Sequence, residues 1–324
     1  MPTPAQWEAA RARQQLYAAL RAWFSGAGYL EVETPCLVPT PGMEPHIDPF
    51  SVRFTPELGV GQARALYLHT SPEYAMKRLL ADGSPPLFQL CKTFRNGEVA
   101  AGHNPEFTML EFYRPHADYV ALMADVESLL SSVPGSGPFA RTPYERLTVR
   151  DAVKRHAGID LAEASTGPLL KAAAEARGIH TGASTAFDDV FFHVFLSKVE
   201  SQLGRERPTF LIEYPASMAA LARVKPGDAS VAERVELYVG GVELANGFSE
   251  LTDAVEQRRR LVEEQAQRRA AGKVEVALDE AFLEALPRMP PSAGIAIGID
   301  RVLMVLRETA NIADVLLFPA RDFV

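Results

Sequence analysis

Two runs of strand-forming residues, separated by a polar loop, constrain the fold of this chain most strongly. The runs are LFQLCKTFR and EFTMLEFYR, and the ten residues from Asn96 to Pro105 connect them. This connection is too long for a tight turn, but the two runs still read as neighbouring strands. The segment therefore predicts a strand hairpin with a long loop.

Side chains along the second run alternate between two faces, because a strand has a period of two. One face is expected to be core and carries Thr108, Leu110 and Phe112. The other carries Phe107, Met109, Glu111 and Tyr113. For any single glutamate, a half-solvated strand face would ordinarily be the better interpretation. The loop argues against that reading, because Arg95, His103 and Asn104 are donors of the kind that bind phosphate.

A second group of acidic residues surrounds two adjacent glycines, Gly240 and Gly241, which predict a two-residue hairpin turn. That turn pairs Val239 with Val242 and Tyr238 with Glu243, so Glu236 lies diagonal to Glu243 on the same face. Diagonal neighbours lie about 7 to 8 Å apart. Two such carboxylates can share a divalent cation with substrate phosphates, although an ordinary surface pair is the alternative.

The remaining segments give a coarse outline of the chain. Thr3, Pro4 and Gln6 predict a capped N-terminal helix that ends at Gly26 or Gly28. Residues 144–200 read as mainly helical. The segment AGIAIGIDRVLMVLRE predicts a strand of small residues that leads into a helix. Neither a Walker loop nor a GxGxxG fingerprint occurs.

Composition narrows the class of protein. The 324 residues are 47% hydrophobic and 23% charged, as in an ordinary globular protein. No stretch predicts a membrane helix or a secretory signal, so a cytoplasmic protein is expected. Cys36 and Cys91 have no partner pattern for a disulfide or zinc site. The net charge of −8 is unfavourable for binding nucleic acid. The arginine-dense run EQRRRLVEEQAQRRAAGK reads as a solvated helix face.

Four segments together resemble the ordered motifs of class II aminoacyl-tRNA synthetases, with lysyl-tRNA synthetase the most similar member. They are GYLEVETP for motif 1, FR with HNPEFTMLEFY for motif 2, ELANGFSELTD for the metal and amino-acid segment, and GIAIGIDR for motif 3. The resemblance implies an α+β fold, with an antiparallel β-sheet flanked by helices. It also implies one catalytic domain over residues 1–324, with a mainly helical insertion at about 115–200.

The whole-chain pattern is most similar to stand-alone bacterial paralogues of lysyl-tRNA synthetase. The full synthetases carry an anticodon-binding barrel before motif 1, but 27 residues precede Gly28 here, so no N-terminal OB barrel is expected. The paralogues activate (R)-β-lysine as an adenylate and attach it to a lysine of translation elongation factor P. The resemblance thus implies ATP and Mg²⁺ as cofactors, a homodimer formed through the motif 1 region, and no tRNA partner.

The resemblance also implies a set of site residues. ATP is expected to contact Arg95, Asn96, Gly97, His103, Asn104, Phe107, Glu243, Leu244, Gly298 and Arg301. The amino acid is expected to contact Ser71, Pro72, Glu73, Glu111, Tyr113, Asn246, Glu250 and Ala296. Catalytic roles fall to Arg95, Glu243 and Arg301, and Mg²⁺ to Glu236 and Glu243. No side-chain nucleophile is required.

Individual roles follow from the same resemblance. Arg95 would hold the substrate carboxylate and the α-phosphate, and Phe107 would stack on adenine. Arg301 would lie near the γ-phosphate. Glu73 would receive the backbone-type amine of the amino acid. The distal ammonium would go to Glu250 and Tyr113.

Two departures from the family pattern stand out. Ala296 replaces a glycine of the lysyl-tRNA synthetases, and Gly97 replaces the glutamate that normally contacts adenine, with Glu98 following. Two alternatives remain: a tRNA-independent α-lysine ligase, and a non-catalytic synthetase-like subunit. The second is less favoured because the motif arginines and metal carboxylates are all present.

Overall fold

The computed structural model describes residues 2–55 and 64–324. The chain divides into two compact units. Unit 1 comprises Met1–Asp118 and Glu250–Val324, and unit 2 comprises Tyr119–Ser249. The single catalytic domain over residues 1–324 stays a prediction.

Strands and helices both occur in quantity, which confirms the α+β class. The strands are β1 (Leu30–Glu31), β2 (Leu37–Val38), β3 (Ser51–Phe54), β4 (Arg64–Leu68), β5 (Leu87–Phe94), β6 (Glu106–Pro115), β7 (Glu145–Thr148), β8 (Thr209–Pro215), β9 (Val231–Val239), β10 (Val242–Ser249) and β11 (Ser292–Gly298). The α-helices are α1 (Pro4–Gly26), α2 (Glu73–Ala81), α3 (Tyr119–Ser131), α4 (Val149–Ala157), α5 (Gly167–Glu175), α6 (Phe187–Val194), α7 (Ala254–Ala270), α8 (Glu280–Ala285) and α9 (Ile299–Leu306).

In unit 1, the long-looped hairpin is the centre of a mainly antiparallel sheet. β6 pairs antiparallel with β5 on one side and with β11 on the other, and the short β1 pairs parallel with β5. β2, β4 and β3 form a separate small sheet. The predicted hairpin is therefore confirmed, and none of the described strands belongs to a closed barrel.

Helix α1 covers the core face of this sheet. Its capping box forms as predicted, because the Thr3 side chain accepts from the backbone N–H of Gln6 while the Gln6 side chain accepts from that of Thr3. The buried ring of Phe24 stacks on Phe88 with 4.2 Å between centroids and meets Phe112 edge-on. Burial of an aromatic side chain of this kind stabilises the fold by about 1.5 to 3 kcal/mol.

Unit 2 contains the glycine hairpin. β9 and β10 pair antiparallel, and Gly240 and Gly241 have φ angles of 64° and 82°. Positive φ at both positions is typical of a type I′ turn. The predicted pairing of Glu243 with Tyr238 is confirmed, but a bulge between Glu243 and Ala245 then shifts the register. Glu236 consequently lies opposite Asn246.

Residues 144–200, read as mainly helical, contain α4, α5 and α6 but also β7, and α3 lies in the wider insertion expected at about 115–200. Residues from α4, α5 and α6 pack with strands β7, β8 and β9 into one hydrophobic core within unit 2. Among the residues described, no helix has both the length and the apolar character that membrane crossing needs.

Candidate active site

Small residues on β11 leave space above the functional face of β6. In the β6–β11 register, Glu111 lies opposite Ala296 and Tyr113 opposite Gly294. A Cβ atom at Gly294 would lie 2.2 Å from the Tyr113 ring and 2.7 Å from Glu250 Oε1. Only glycine at this position lets both side chains lie over the strand.

Three carboxylates predicted to bind the amino acid form one buried cluster in unit 1. Glu111 accepts hydrogen bonds from the Tyr113 hydroxyl at 2.6 Å and from the Ser71 hydroxyl at 2.8 Å. The ammonium nitrogen of Lys77 lies 2.6 Å from Glu73 Oε1 and 2.5 Å from Glu250 Oε2. The other Glu250 oxygen, Oε1, is buried and accepts no hydrogen bond from the described residues.

The protonation of this cluster reflects burial and mutual repulsion. Burial, reinforced by the neighbouring Glu73 charge, raises the pKa of Glu111 to about 8. Burial also raises the pKa of Glu250 to about 8, although the Lys77 ammonium opposes the shift. Burial alone would lower the pKa of Lys77, but the Glu250 and Glu73 carboxylates raise it above its ordinary value. The cluster is thus acidic in composition and short of positive charge.

Lys77 is a central residue that the sequence analysis missed. Its side chain is only 1% exposed, whereas lysines are almost never fully buried without a partner. It follows Glu73 by four positions on α2, a spacing that places two side chains on the same helix face. This i,i+4 spacing was the available signal.

Arg95, which follows β5, contacts Phe107 near the start of β6. The Arg95 guanidinium carbon lies 5.1 Å from the Phe107 ring centroid. Its Nε atom is buried and has no hydrogen-bond partner among the described residues. The Glu98 carboxylate is 3.9 Å from Arg95, and Gly97 turns the chain between them at φ 83°. An anion bound here would satisfy the unused Nε donor.

His103 and Arg301 are also brought together. An Arg301 nitrogen lies 2.8 Å from His103 Nε2. Because arginine only donates, this histidine nitrogen accepts. Burial and the Arg301 charge lower the pKa of His103. Asn104 differs, since its amide donates to the Glu106 carbonyl and accepts from the Ala320 N–H.

Asp300, just before Arg301, is a second residue with an unforeseen contact. One carboxylate oxygen pairs with Arg13 of α1, and the other accepts from the backbone N–H of Thr108 at 2.7 Å. Gly298 occupies the N-cap position of α9. Asp300 therefore ties the start of α9 to β6, next to Phe107.

In unit 2, Glu236 is already engaged by protein groups. It accepts hydrogen bonds from the Tyr214 hydroxyl, from the Tyr238 hydroxyl at 2.7 Å, and from Arg234 at 2.6 Å. Arg234 also donates to the Asn246 side chain at 3.1 Å. Asn246 and Glu236 are thus joined through one arginine.

The predicted metal pair, Glu236 and Glu243, lies on neighbouring strands, with buried Leu244 at the bulge. The described residues contain no cluster of three or more His, Cys, Asp or Glu side chains suited to a metal. Two carboxylates still offer the hard oxygen ligands that Mg²⁺ takes when phosphates and water complete its coordination. The pair therefore fits Mg²⁺ in chemical type.

Comparison with known proteins defines the class of this chain. Residues 2–322 match the family described as tRNA synthetases class II (D, K and N), and the chain belongs to that family. Among its relatives is a protein of Salmonella paratyphi B named "Elongation factor P--(R)-beta-lysine ligase", 42% identical over 308 residues, or 94% of this chain and 93% of the relative. Proteins of the same name from Erwinia tasmaniensis and Salmonella dublin are 42% and 43% identical, with the same coverage.

Proposed function

We propose that this protein uses ATP to activate (R)-β-lysine as an aminoacyl adenylate, and then transfers it to a lysine side chain of elongation factor P. The observation that carries this proposal is the buried cluster of Glu73, Glu111 and Glu250, which suits an amino acid with two ammonium groups. Charge-assisted hydrogen bonds of this type contribute about 1.5 to 3 kcal/mol each. The names of the relatives support the same substrates.

The reaction needs positioning rather than a protein nucleophile. A carboxylate oxygen of the amino acid attacks the α-phosphorus of ATP, and pyrophosphate leaves. The lysine amine of elongation factor P then attacks the activated carbonyl carbon, loses a proton, and displaces AMP. Arg95, with its unused donor, would hold the carboxylate and the α-phosphate while negative charge develops.

Other residues would orient the nucleotide. Arg301 would bind the γ-phosphate end, and neutral His103 would hold the Arg301 guanidinium in place. Phe107 would present its ring to adenine. Glu236 and Glu243 would hold Mg²⁺, which neutralises phosphate charge when bound.

We also propose a cytoplasmic homodimer formed through the motif 1 region, with no tRNA substrate. The net charge of −8 supports the proposal that tRNA is not a substrate, because an acidic protein repels a phosphate backbone.

The test is incubation of the protein with ATP, Mg²⁺, elongation factor P and each amino acid in turn, followed by mass spectrometry of elongation factor P. We expect one added β-lysyl group with (R)-β-lysine and much less labelling with α-lysine. A parallel reaction with tRNA(Lys) should give no acid-precipitable product. Efficient tRNA charging, or ATP–pyrophosphate exchange with α-lysine alone, would overturn the proposal.

A further inference from the structure

A cavity of about 200 Å³ lies beside Glu73 in unit 1. Glu44 and His69, neither of which has a role above, also line it. Asp279 is a further acidic wall residue, but its carboxylate caps α8 by accepting from the Phe282 N–H at 2.9 Å. Of the carboxylates that line this cavity, the Glu44 carboxylate is therefore the one that still needs a structural explanation.

The Glu44 carboxylate has an unused acceptor. Its Oε2 atom is buried and accepts no hydrogen bond from any residue within the described ranges. A Cβ atom at Gly42 would lie 2.2 Å from this oxygen and 2.8 Å from the hydroxyl oxygen of Thr70, which is also buried and unpartnered. Two unpartnered oxygens therefore lie close together. A buried carboxylate oxygen that accepts no hydrogen bond is unfavourable unless a ligand supplies the donor.

His69 adds a third acceptor to the same cavity. Its Nε2 atom lies 2.6 Å from the Lys92 carbonyl, which can only accept, so Nε2 carries the proton. The neutral ring therefore presents a lone pair at Nδ1, and this atom is buried without a partner among the described residues. His69 is 1% exposed, and burial lowers its pKa, which favours the neutral form.

The nearby cations leave the Glu44 carboxylate unpaired. Arg268 donates to the backbone carbonyl of Glu44 at 2.9 Å, not to its carboxylate. Lys77 binds Glu73 and Glu250. Burial and the Glu73 charge raise the pKa of Glu44, although Arg95 and Arg268 oppose the shift. Three carboxylates, those of Glu44, Glu73 and Asp279, line the cavity together with Arg78, so the lining is rich in acceptors and negative on balance.

We propose that Glu44, His69 and Glu73 form an ammonium subsite for the substrate amine nearer the carboxylate. A primary ammonium has three N–H donors and one positive charge, which matches these acceptors. The inference rests on the proposed function and deepens it, because it adds two residues to the recognition of the amino acid. One Glu73 oxygen already contacts Lys77, so Glu44 supplies a second carboxylate for the substrate amine.

The test compares two ligands that differ only in this amine. (R)-β-lysine has the amine nearer the carboxylate. 6-Aminohexanoic acid lacks that amine but keeps the carboxylate and the distal ammonium. For Glu44→Gln, which removes charge without volume, we expect calorimetric affinity for (R)-β-lysine to fall about 10- to 100-fold. Affinity for 6-aminohexanoic acid should stay within about twofold of the wild type, because that ligand makes no bond to Glu44.

Glu264→Gln is the matched control. Burial and the Glu44 charge raise the pKa of Glu264 to about 8, but it does not line the cavity. This control should leave the ratio of the two affinities unchanged. Equal weakening of both ligands by Glu44→Gln, or no weakening of either, would overturn the subsite.

Gly42→Ala provides a second variant that keeps every charge. Its methyl would displace the Glu44 carboxylate, so it should weaken (R)-β-lysine selectively even if Glu44→Gln folds poorly. Gly102→Ala, where a Cβ meets nothing within 4 Å, is its control. Calorimetry needs neither turnover nor elongation factor P. Selective loss without labelling of elongation factor P would overturn the proposed function alone, whereas labelling without selective loss would overturn the subsite alone.

Discussion

Ala296 is the residue whose single methyl group has the clearest expected effect on specificity. It lies opposite Glu111 in the β6–β11 register and remains partly exposed on the functional face. A methyl group there would fill space beside the α-carbon of a bound amino acid. In a β-amino acid the amine lies one carbon farther from the carboxylate, so the methyl is expected to hinder an α-amine more.

Ala296→Gly should therefore improve the use of α-lysine relative to (R)-β-lysine. Relief of crowding of this size is worth about 1 to 3 kcal/mol, or roughly 5- to 150-fold in relative kcat/KM. The measurement is kcat/KM for both amino acids, with the KM for ATP as control. An unchanged ratio would assign the preference to other parts of the pocket.

Lys77→Met tests the buried ion pairs at the same scale. The variant keeps a similar volume but leaves Glu73 and Glu250 without their ammonium partner. Breaking a buried pair in this way typically costs about 3 to 5 kcal/mol, so we expect a large fall in the free energy of unfolding measured in urea. Lys154→Met is the control, because its pair with Asp160 is solvent-exposed. Equal stability of the two variants would contradict a structural role for Lys77.

Among the elements, β11 positions the site through one glycine. Gly294→Ala would force a Cβ against the Tyr113 ring, so the ring or the strand must move. We expect a loss of about 1 to 3 kcal/mol in stability and a raised KM for the amino acid, with the KM for ATP little changed. Gly26→Ala, at the end of α1 with open space around it, should affect neither quantity. Wild-type amino-acid kinetics in Gly294→Ala would show that the close approach is unimportant.

Local patterns predicted the elements, whereas tertiary contacts determined the details of the site. The capping box of α1, the alternation on β6 and the Gly240–Gly241 turn each depend on a few adjacent residues, and all three were predicted. The bulge at Leu244 was not predicted. The turn sequence alone specifies ideal strand pairing, whereas a bulge depends on packing. The contacts of Lys77 and Glu44 join distant segments, which spacing along the chain does not specify.

For the whole molecule, the buried carboxylates predict a dependence of stability on pH. The pKa values of Glu111, Glu250 and Glu264 are each raised to about 8, so the folded state favours their protonated forms. That stabilisation is fully present below the unfolded pKa of about 4.5 and is lost as pH rises through about 8. The free energy of unfolding of the ligand-free protein should therefore fall between about pH 7 and 8.5.

Bound (R)-β-lysine should reverse this trend, because its ammonium groups favour ionised carboxylates. Its stabilising effect in urea unfolding should grow over the same pH range. The comparison is made at pH 7 and pH 8.5, with 6-aminohexanoic acid as a ligand of lower charge. A free energy of unfolding that is flat or rises between these pH values would argue against protonated carboxylates in the ligand-free site.

Lys77 also bears on the state of the site between reaction cycles. Its ammonium belongs to α2 and bridges Glu73 and Glu250. Product departure therefore does not leave these two acids facing each other without a cation. We expect this fixed cation to hold the two carboxylates in place for the next amino acid, so that little binding energy is consumed in reorganising them. The Lys77 side chain thus keeps an ammonium group of the protein itself in a site that is proposed to recognise a lysine-like molecule.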